Sequence, residues 1–319
     1  MSVLSQLLSA LSRHEKPDPD LEQALERAAY RVEPHLKHTG SWPKRFRPPL
    51  AAALNQAKNL LKGIPGPVEI NARSFTQDPF VHALFGSPED IRTALCSSTV
   101  MRQYVASGVS QEVYVLLSMR RNEKNTLGTD DSGGVLRRDV PQRKVWFTDH
   151  QLIGPQPTLE SARETLKWIL FDRFLERVAV GIQRIHTERD RLSQEKDLAQ
   201  ARLRCASPAN SSALRGNLEQ TLAHLGAATQ CLENSNLAEV FATVLSHPED
   251  CLYLEEYSLL LDNMGLVRSE EESSTTSRLT FTDLHERYAE PRTVALIHCQ
   301  DIRPIAQNER LREAMRWLG

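Results

Sequence analysis

Between Glu160 and Leu203 the apolar positions step by fours and threes, through Phe171, Leu175, Val178, Ile182 and Ile185 and on to Leu192, Ala199 and Leu203. That is the spacing of a coiled-coil seam, in which one narrow apolar stripe faces a partner helix. After a break at Cys205-Ala206-Ser207-Pro208-Ala209-Asn210, the step resumes at Leu214, Leu218, Thr221, Leu225, Ala228 and Leu232, which predicts an antiparallel helical hairpin. The first limb would run on the order of 65 Å at 1.5 Å per residue. Arg189 and Lys196 fall on the seam in its distal half, where polar residues weaken packing and restrict register. An amphipathic helix of a globular core shows similar spacing. The narrowness of this stripe, flanked by Glu188, Arg191 and Glu195, favours the hairpin.

The rest of the chain reads as shorter elements. Residues 1 to about 62 suggest three helices: an amphipathic one at the N-terminus, one from Pro19 to about His35, and one from Pro48-Pro49 to Leu61 closed by Gly63. His38 to Pro43 reads as a loop, and Ile64-Pro65-Gly66-Pro67-Val68 is too rich in Pro and Gly for regular structure. Short helices follow at Asp78 to Phe85 and Pro88 to Ala106, the latter capped by Ser87. From Gln111 the pattern changes to strands at Val113 to Met119 and Lys144 to Thr148, with Asp130-Asp131-Ser132-Gly133-Gly134 as the turn. Thr293 to His298, paired with Leu279-Thr280-Phe281, would close one small antiparallel sheet. Thr158 and Ser161 offer caps to the long helix. Beyond its second limb, Leu237 to Leu245 predicts a brief helix, and Leu252 to Met264 an apolar helix ended by Gly265. Ser269 to Ser277 has the polarity of a loop.

The expected fold class is therefore α+β, predominantly α-helical, with a long antiparallel coiled-coil-like helical hairpin and a small antiparallel β-sheet. Four regions are expected: helical 1–110, β-hairpin 111–157, helical hairpin with packed helices 158–265, and an acidic loop, returning strand and terminal helix over 266–319.

With 39 Lys and Arg against 41 Asp and Glu, bulk electrostatics favour neither nucleic acid nor an anionic membrane, so either partner would need a local patch. Two patches qualify. Lys37, Lys44, Arg45 and Arg47 are interleaved with Trp42 and Phe46 and could meet phosphates or a lipid surface, although a helix-connecting loop pinned by its aromatics would look the same. Around the hairpin, Arg120, Arg121, Lys124, Arg137, Arg138, Arg143 and Lys144 outnumber Glu123, Asp130, Asp131 and Asp139. A basic ribbon can follow a phosphate backbone, but basic residues also guard exposed strand edges.

Catalytic signals are thin. His298, Cys299 and Asp301 include a nucleophile and a base, yet neighbours along a strand point to opposite faces, so His298 and Cys299 should diverge. Asp149-His150 could be a base with its orienter, or a capping pair. No phosphate loop, dinucleotide fingerprint, nucleophile elbow, HExxH zinc motif or EF-hand occurs, and the five cysteines lack metal-ligand or disulfide spacing. No catalytic residue, cofactor or metal is assigned. No window approaches 18 uninterrupted apolar residues, so no membrane span is expected and a reducing cytoplasm is the default compartment.

These observations point first to a non-enzymatic interaction or scaffold protein. Its seam residues Val178, Ile182, Ile185, Leu192 and Leu203 would serve a protein partner or self-association. The alternative is an accessory nucleic-acid-binding protein using Lys44, Arg45, Arg47, Arg120, Arg121, Arg137 and Arg138 on phosphates; an enzyme without a linear motif is the third reading.

Overall fold

The computed structural model describes residues 18–32, 42–132, 135–205, 211–268, 276–300 and 302. Among them are ten helices and six strands, so the chain is mixed α/β and mostly helical. In chain order the helices are α1 (Pro19–Arg31), α2 (Trp42–Gly63), α3 (Ala72–Gln77), α4 (Pro79–Leu84), α5 (Pro88–Ser97), α6 (Thr99–Ser107), α7 (Leu159–Arg204), α8 (Ser211–Cys231), α9 (Asn234–Leu245) and α10 (Pro248–Cys251). The strands are β1 (Val68–Glu69), β2 (Val113–Ser132), β3 (Val135–Gln156), β4 (Leu252–Leu261), β5 (Ser277–Glu286) and β6 (Arg292–Cys299). Two compact units divide the chain, one of Met1–Ala57 with Leu170–Pro248, the other of Lys58–Ile169 with Glu249–Gly319.

The first unit is helical. Its core joins Ala24, Leu25, Ala28 and Ala29 of α1, Phe46, Leu50 and Leu54 of α2, Phe171, Phe174, Leu175 and Val178 of α7, and Leu237, Phe241 and Leu245 of α9, all buried. Phe46 and Phe241 meet edge to face with centroids 5.0 Å apart, the arrangement that brings one ring's positive edge to the other's negative face. The buried Asp172 carboxylate accepts from Arg27 at 2.8 Å and pairs with Arg31 at 2.9 Å.

The second unit is built on a sheet of order β3-β2-β6-β5-β4, antiparallel throughout, with β1 added parallel to β6. Alternation along the strands sends Val113, Val115, Leu117 and Met119 of β2, Leu279 and Phe281 of β5, and Ala295, Ile297 and Cys299 of β6 into one core with Val81, Leu84, Ile91, Leu95 and Met101 of α4 to α6. Leu266 bridges to Lys144 of β3 while Val267 bridges to Leu261 of β4, tying the two outer strands together. Gly265 makes this approach possible: φ is +74°, and a Cβ there would lie 2.6 Å from the Val145 carbonyl oxygen. β6 pairs with β2 only as far as Met119; beyond it β2 and β3 run on as an antiparallel ribbon, flanked at Arg143–Val145 by the 265–267 segment, whose Gly265 O accepts from Val145 N–H and whose Val267 N–H donates to Arg143 O.

Several elements differ from the sequence reading. Leu252 to Leu261 is a strand, not a helix, because ten consecutive residues find antiparallel partners in β5, and pairing outweighs the helix propensity of its leucines. Met264 lies in the following turn rather than on a helix. α2 begins at Trp42 and passes through Pro48 and Pro49. Neither proline can donate the intrahelical hydrogen bond four residues back, to the exposed Lys44 and Arg45, while Phe46, Leu50, Ala53, Leu54 and Ala57 hold the helix through a buried stripe. Thus Lys44, Arg45 and Arg47 sit on a helix and not in a loop. Val68, the last residue of the stretch read as irregular, joins Glu69 as β1 on β6, and Asn71 starts the unforeseen α3 with a capping box. The helix expected over Pro88 to Ala106 breaks at Ser98, whose hydroxyl caps α6. Strands β2 and β3 are far longer than the runs expected at Val113 to Met119 and Lys144 to Thr148. The N-terminal helix, the loops at His38 to Gly40 and Ser269 to Thr275, and the terminal helix lie outside the described residues.

Candidate functional site

The long helix α7 is one uninterrupted element of 46 residues, about 69 Å at 1.5 Å per residue. Thr158 and Ser161 cap it reciprocally, Ser161 N–H donating to Thr158 Oγ1 and Thr158 N–H to Ser161 Oγ. Of the five seam residues Val178, Ile182 and Leu192 are buried, and Ile185 and Leu203 half-buried. Between them Gln183, Arg184, Thr187, Glu188, Arg191, Gln194 and Glu195 are exposed. On α8 Leu214, Leu218, Thr221, Leu225 and Ala228 are half-buried, and no residue is fully buried. Arg191 bridges Glu188 at 2.7 Å and Glu195 at 3.0 Å, and its guanidinium holds the Glu188 carboxyl below its ordinary range, with a smaller contribution from His224 of α8. Val180, Leu198 and Leu222 expose apolar side chains.

The basic residues are dispersed. Arg47 pairs with Glu22, and Lys44 and Arg45 are exposed on α2. Arg120 pairs with Glu290 at 2.7 Å. Arg121 is drawn inward: it lies 4.1 Å from the centroid of the Tyr257 ring and 3.3 Å from the buried Asp283 carboxylate, which also accepts 2.6 Å from Thr293 Oγ1. Arg138 is exposed on β3, and the side chain of Arg137 lies outside those described.

Neither catalytic grouping assembles. Cys299 enters the core of the second unit, while His298 on the opposite face stacks on Tyr114 at 4.2 Å and bonds through Nδ1 to Glu69 at 2.6 Å. Asp301 is outside the described residues. Arg292 holds Asp149 and lowers its carboxyl pKa, whereas His150 Nε2 meets the Leu84 carbonyl oxygen at 2.8 Å and its ring stacks on Phe85. The adjacent pair therefore has separate partners. The sequence reading missed Glu69 and Tyr114 as partners of His298, for which no local spacing gives a signal, since Glu69 is 229 residues away. It also missed a cleft of about 650 Å³ lined by His82, Phe85, Thr93, Phe147 and Leu261.

Burial pushes the Cys299 thiol up to about 12, with the Glu69 carboxylate adding to the effect. Because the folded protein holds this thiol neutral, its contribution to stability is present below the unfolded thiol range and is lost as pH rises from about 9 towards 12. Cys205 and Cys231 are exposed, whereas Cys96, Cys251 and Cys299 are buried. A thiol reagent at neutral pH should accordingly label Cys205 and Cys231 rapidly and the other three only in denaturant; rapid labelling of Cys299 in the folded protein would contradict its placement.

Among the described residues no helix is long and apolar enough to cross a membrane. Compared with protein-family models, curated proteins and solved structures, the chain matches none.

Proposed function

We propose that the chain is a non-enzymatic interaction or scaffold protein that presents the distal parts of α7 and α8, paired as an antiparallel coiled-coil-like hairpin, to a protein partner or a second copy of itself. The carrying observation is the matched burial pattern: each helix has one half-buried stripe at seam spacing, and the remaining faces are exposed. Leu198 and Leu222 supply apolar anchors on the outer faces, where a partner helix could seat.

Light scattering of the purified chain, with a native pull-down from the same preparation, tests this reading. A dimer or a stoichiometric protein partner is expected, lost in Leu198→Glu and Leu222→Glu while the circular dichroism spectrum and thermal midpoint stay those of the parent. Those positions are exposed, so the substitutions should cost no more than about 0.5 kcal/mol of stability. A monomer without a partner, or a complex indifferent to both changes, would refute the proposal. Changing Leu192→Asp instead should melt the distal pair itself, since Leu192 is 4% exposed on an otherwise hydrophilic stretch.

A further inference from the structure

We propose that one face of the β2–β3 ribbon binds single-stranded nucleic acid, with Arg120, Lys124 and Lys144 against the phosphates and the Trp146 indole beneath a base. The register brings these residues together: Asn122 is opposite Trp146, Lys124 opposite Lys144 and Thr126 opposite Gln142, with Arg120 and Thr148 the next pair along the same face. Those eight side chains comprise three cations, four neutral hydrogen-bonding groups and one tryptophan, and no carboxylate. The acidic Glu123 belongs to the opposite face, where it pairs with Arg121 and Arg143.

Two features of this face are left open in the free protein. Lys124 and Lys144 are directly opposed, both exposed, and neither has a carboxylate partner among the described residues. Like charges in that relation destabilise an antiparallel pair. Trp146 is half-buried with its indole N–H open to solvent, and among the described residues its ring stacks on no other ring. A bound strand relieves both: a phosphate between the ammonium groups replaces repulsion with attraction, and a base covers the indole. Arg120, four residues along β2 from Lys124 and so about 13 Å away, would meet another phosphate of the strand, because its ion pair with Glu290 is largely solvated and readily exchanged. A lipid surface would also satisfy the cations, but an aromatic interleaved with neutral hydrogen-bonding groups along one strand-paired face fits successive nucleotides.

The test is fluorescence anisotropy of a labelled single-stranded oligonucleotide titrated with the full chain across a salt series. Affinity should fall steeply with salt, and Lys124→Gln with Lys144→Gln together should flatten the log–log slope by about 1.4, at roughly 0.7 per lost phosphate contact. Trp146→Ala should weaken binding by about 5- to 100-fold and Trp146→Phe should recover most of it. The lysine variants should melt no lower than the parent, because they remove a repulsion, which separates lost binding from lost folding. No anisotropy change at about 50 mM salt, or binding indifferent to the lysine pair, would overturn the proposal. So would duplex competing as well as single strand, or phosphatidylserine vesicles binding with the same dependence on these residues in the absence of oligonucleotide binding.

Discussion

Replacement of Phe281 by alanine should remove about 3–5 kcal/mol from the stability of the sheet-containing unit, a large part of what a domain of this size holds. Phe281 is fully buried on β5, and its ring centre lies 5.4 Å from that of Phe80, 5.2 Å from Phe147 and 5.6 Å from Tyr257. It thus joins a helix and two further strands at one point, so deletion opens a cavity with walls on four elements that cannot all move inward together. The loss is read as the shift of the urea midpoint and as faster amide exchange in β5 and β6. Leu127, 66% exposed on the ribbon, is the control, and its alanine variant should change stability by no more than about 0.5 kcal/mol. A Phe281→Ala loss under about 1 kcal/mol would mean that the aromatic cluster is not the centre of this core.

Gly66→Ala should be comparably severe for a different reason. Gly66 has φ of +119°, and a Cβ there would overlap the backbone carbonyl of Leu296, which cannot step aside as a side chain can. The approach it permits is held on either side by Leu296 N–H donating to Pro65 O at 2.8 Å and Ile70 N–H to His298 O at 2.8 Å. The expected cost is about 3 kcal/mol or more, combining backbone strain with a displaced β1. Gly108→Ala gives the comparison, because φ is +67° there but no atom lies within 4 Å of the added carbon, so only about 1 kcal/mol of conformational strain is expected. Equal effects at the two positions would show that the close approach of β1 to β6 contributes nothing. If Gly66→Ala yields no folded protein, Gly66→Ser and Gly108→Ser compared by soluble yield carry the same distinction.

Among the candidate site residues, what depended on local period was legible. The stripe through Val178, Ile182, Ile185, Leu192 and Leu203 emerges on the less exposed side of α7, since a three-four step on a helix requires no knowledge of the partner. The divergence of His298 and Cys299 was legible for the same kind of reason, a two-residue strand period. The basic residues were not sortable in this way. Arg121 and Arg138 look alike in the sequence, but a buried carboxylate and an aromatic ring draw Arg121 inward while Arg138 stays exposed. The opposition of Lys124 and Lys144 exists only through the register of two strands.

Elements whose signals lie within a few residues could be read directly from the residue order. The long helix was expected from Glu160 to Leu203 and runs from Leu159 to Arg204, and the Ser87 cap with Pro88 opens α5 as its hydroxyl and fixed φ dictate. Long-range pairing makes Leu252 to Leu261 a strand, joins Val68–Glu69 to β6 and carries β2 and β3 past Met119 as a ribbon. A helix satisfies its backbone hydrogen bonds within its own segment and so can be read from it. A strand satisfies them with residues far away in the chain, and its existence, length and register are settled by the partner.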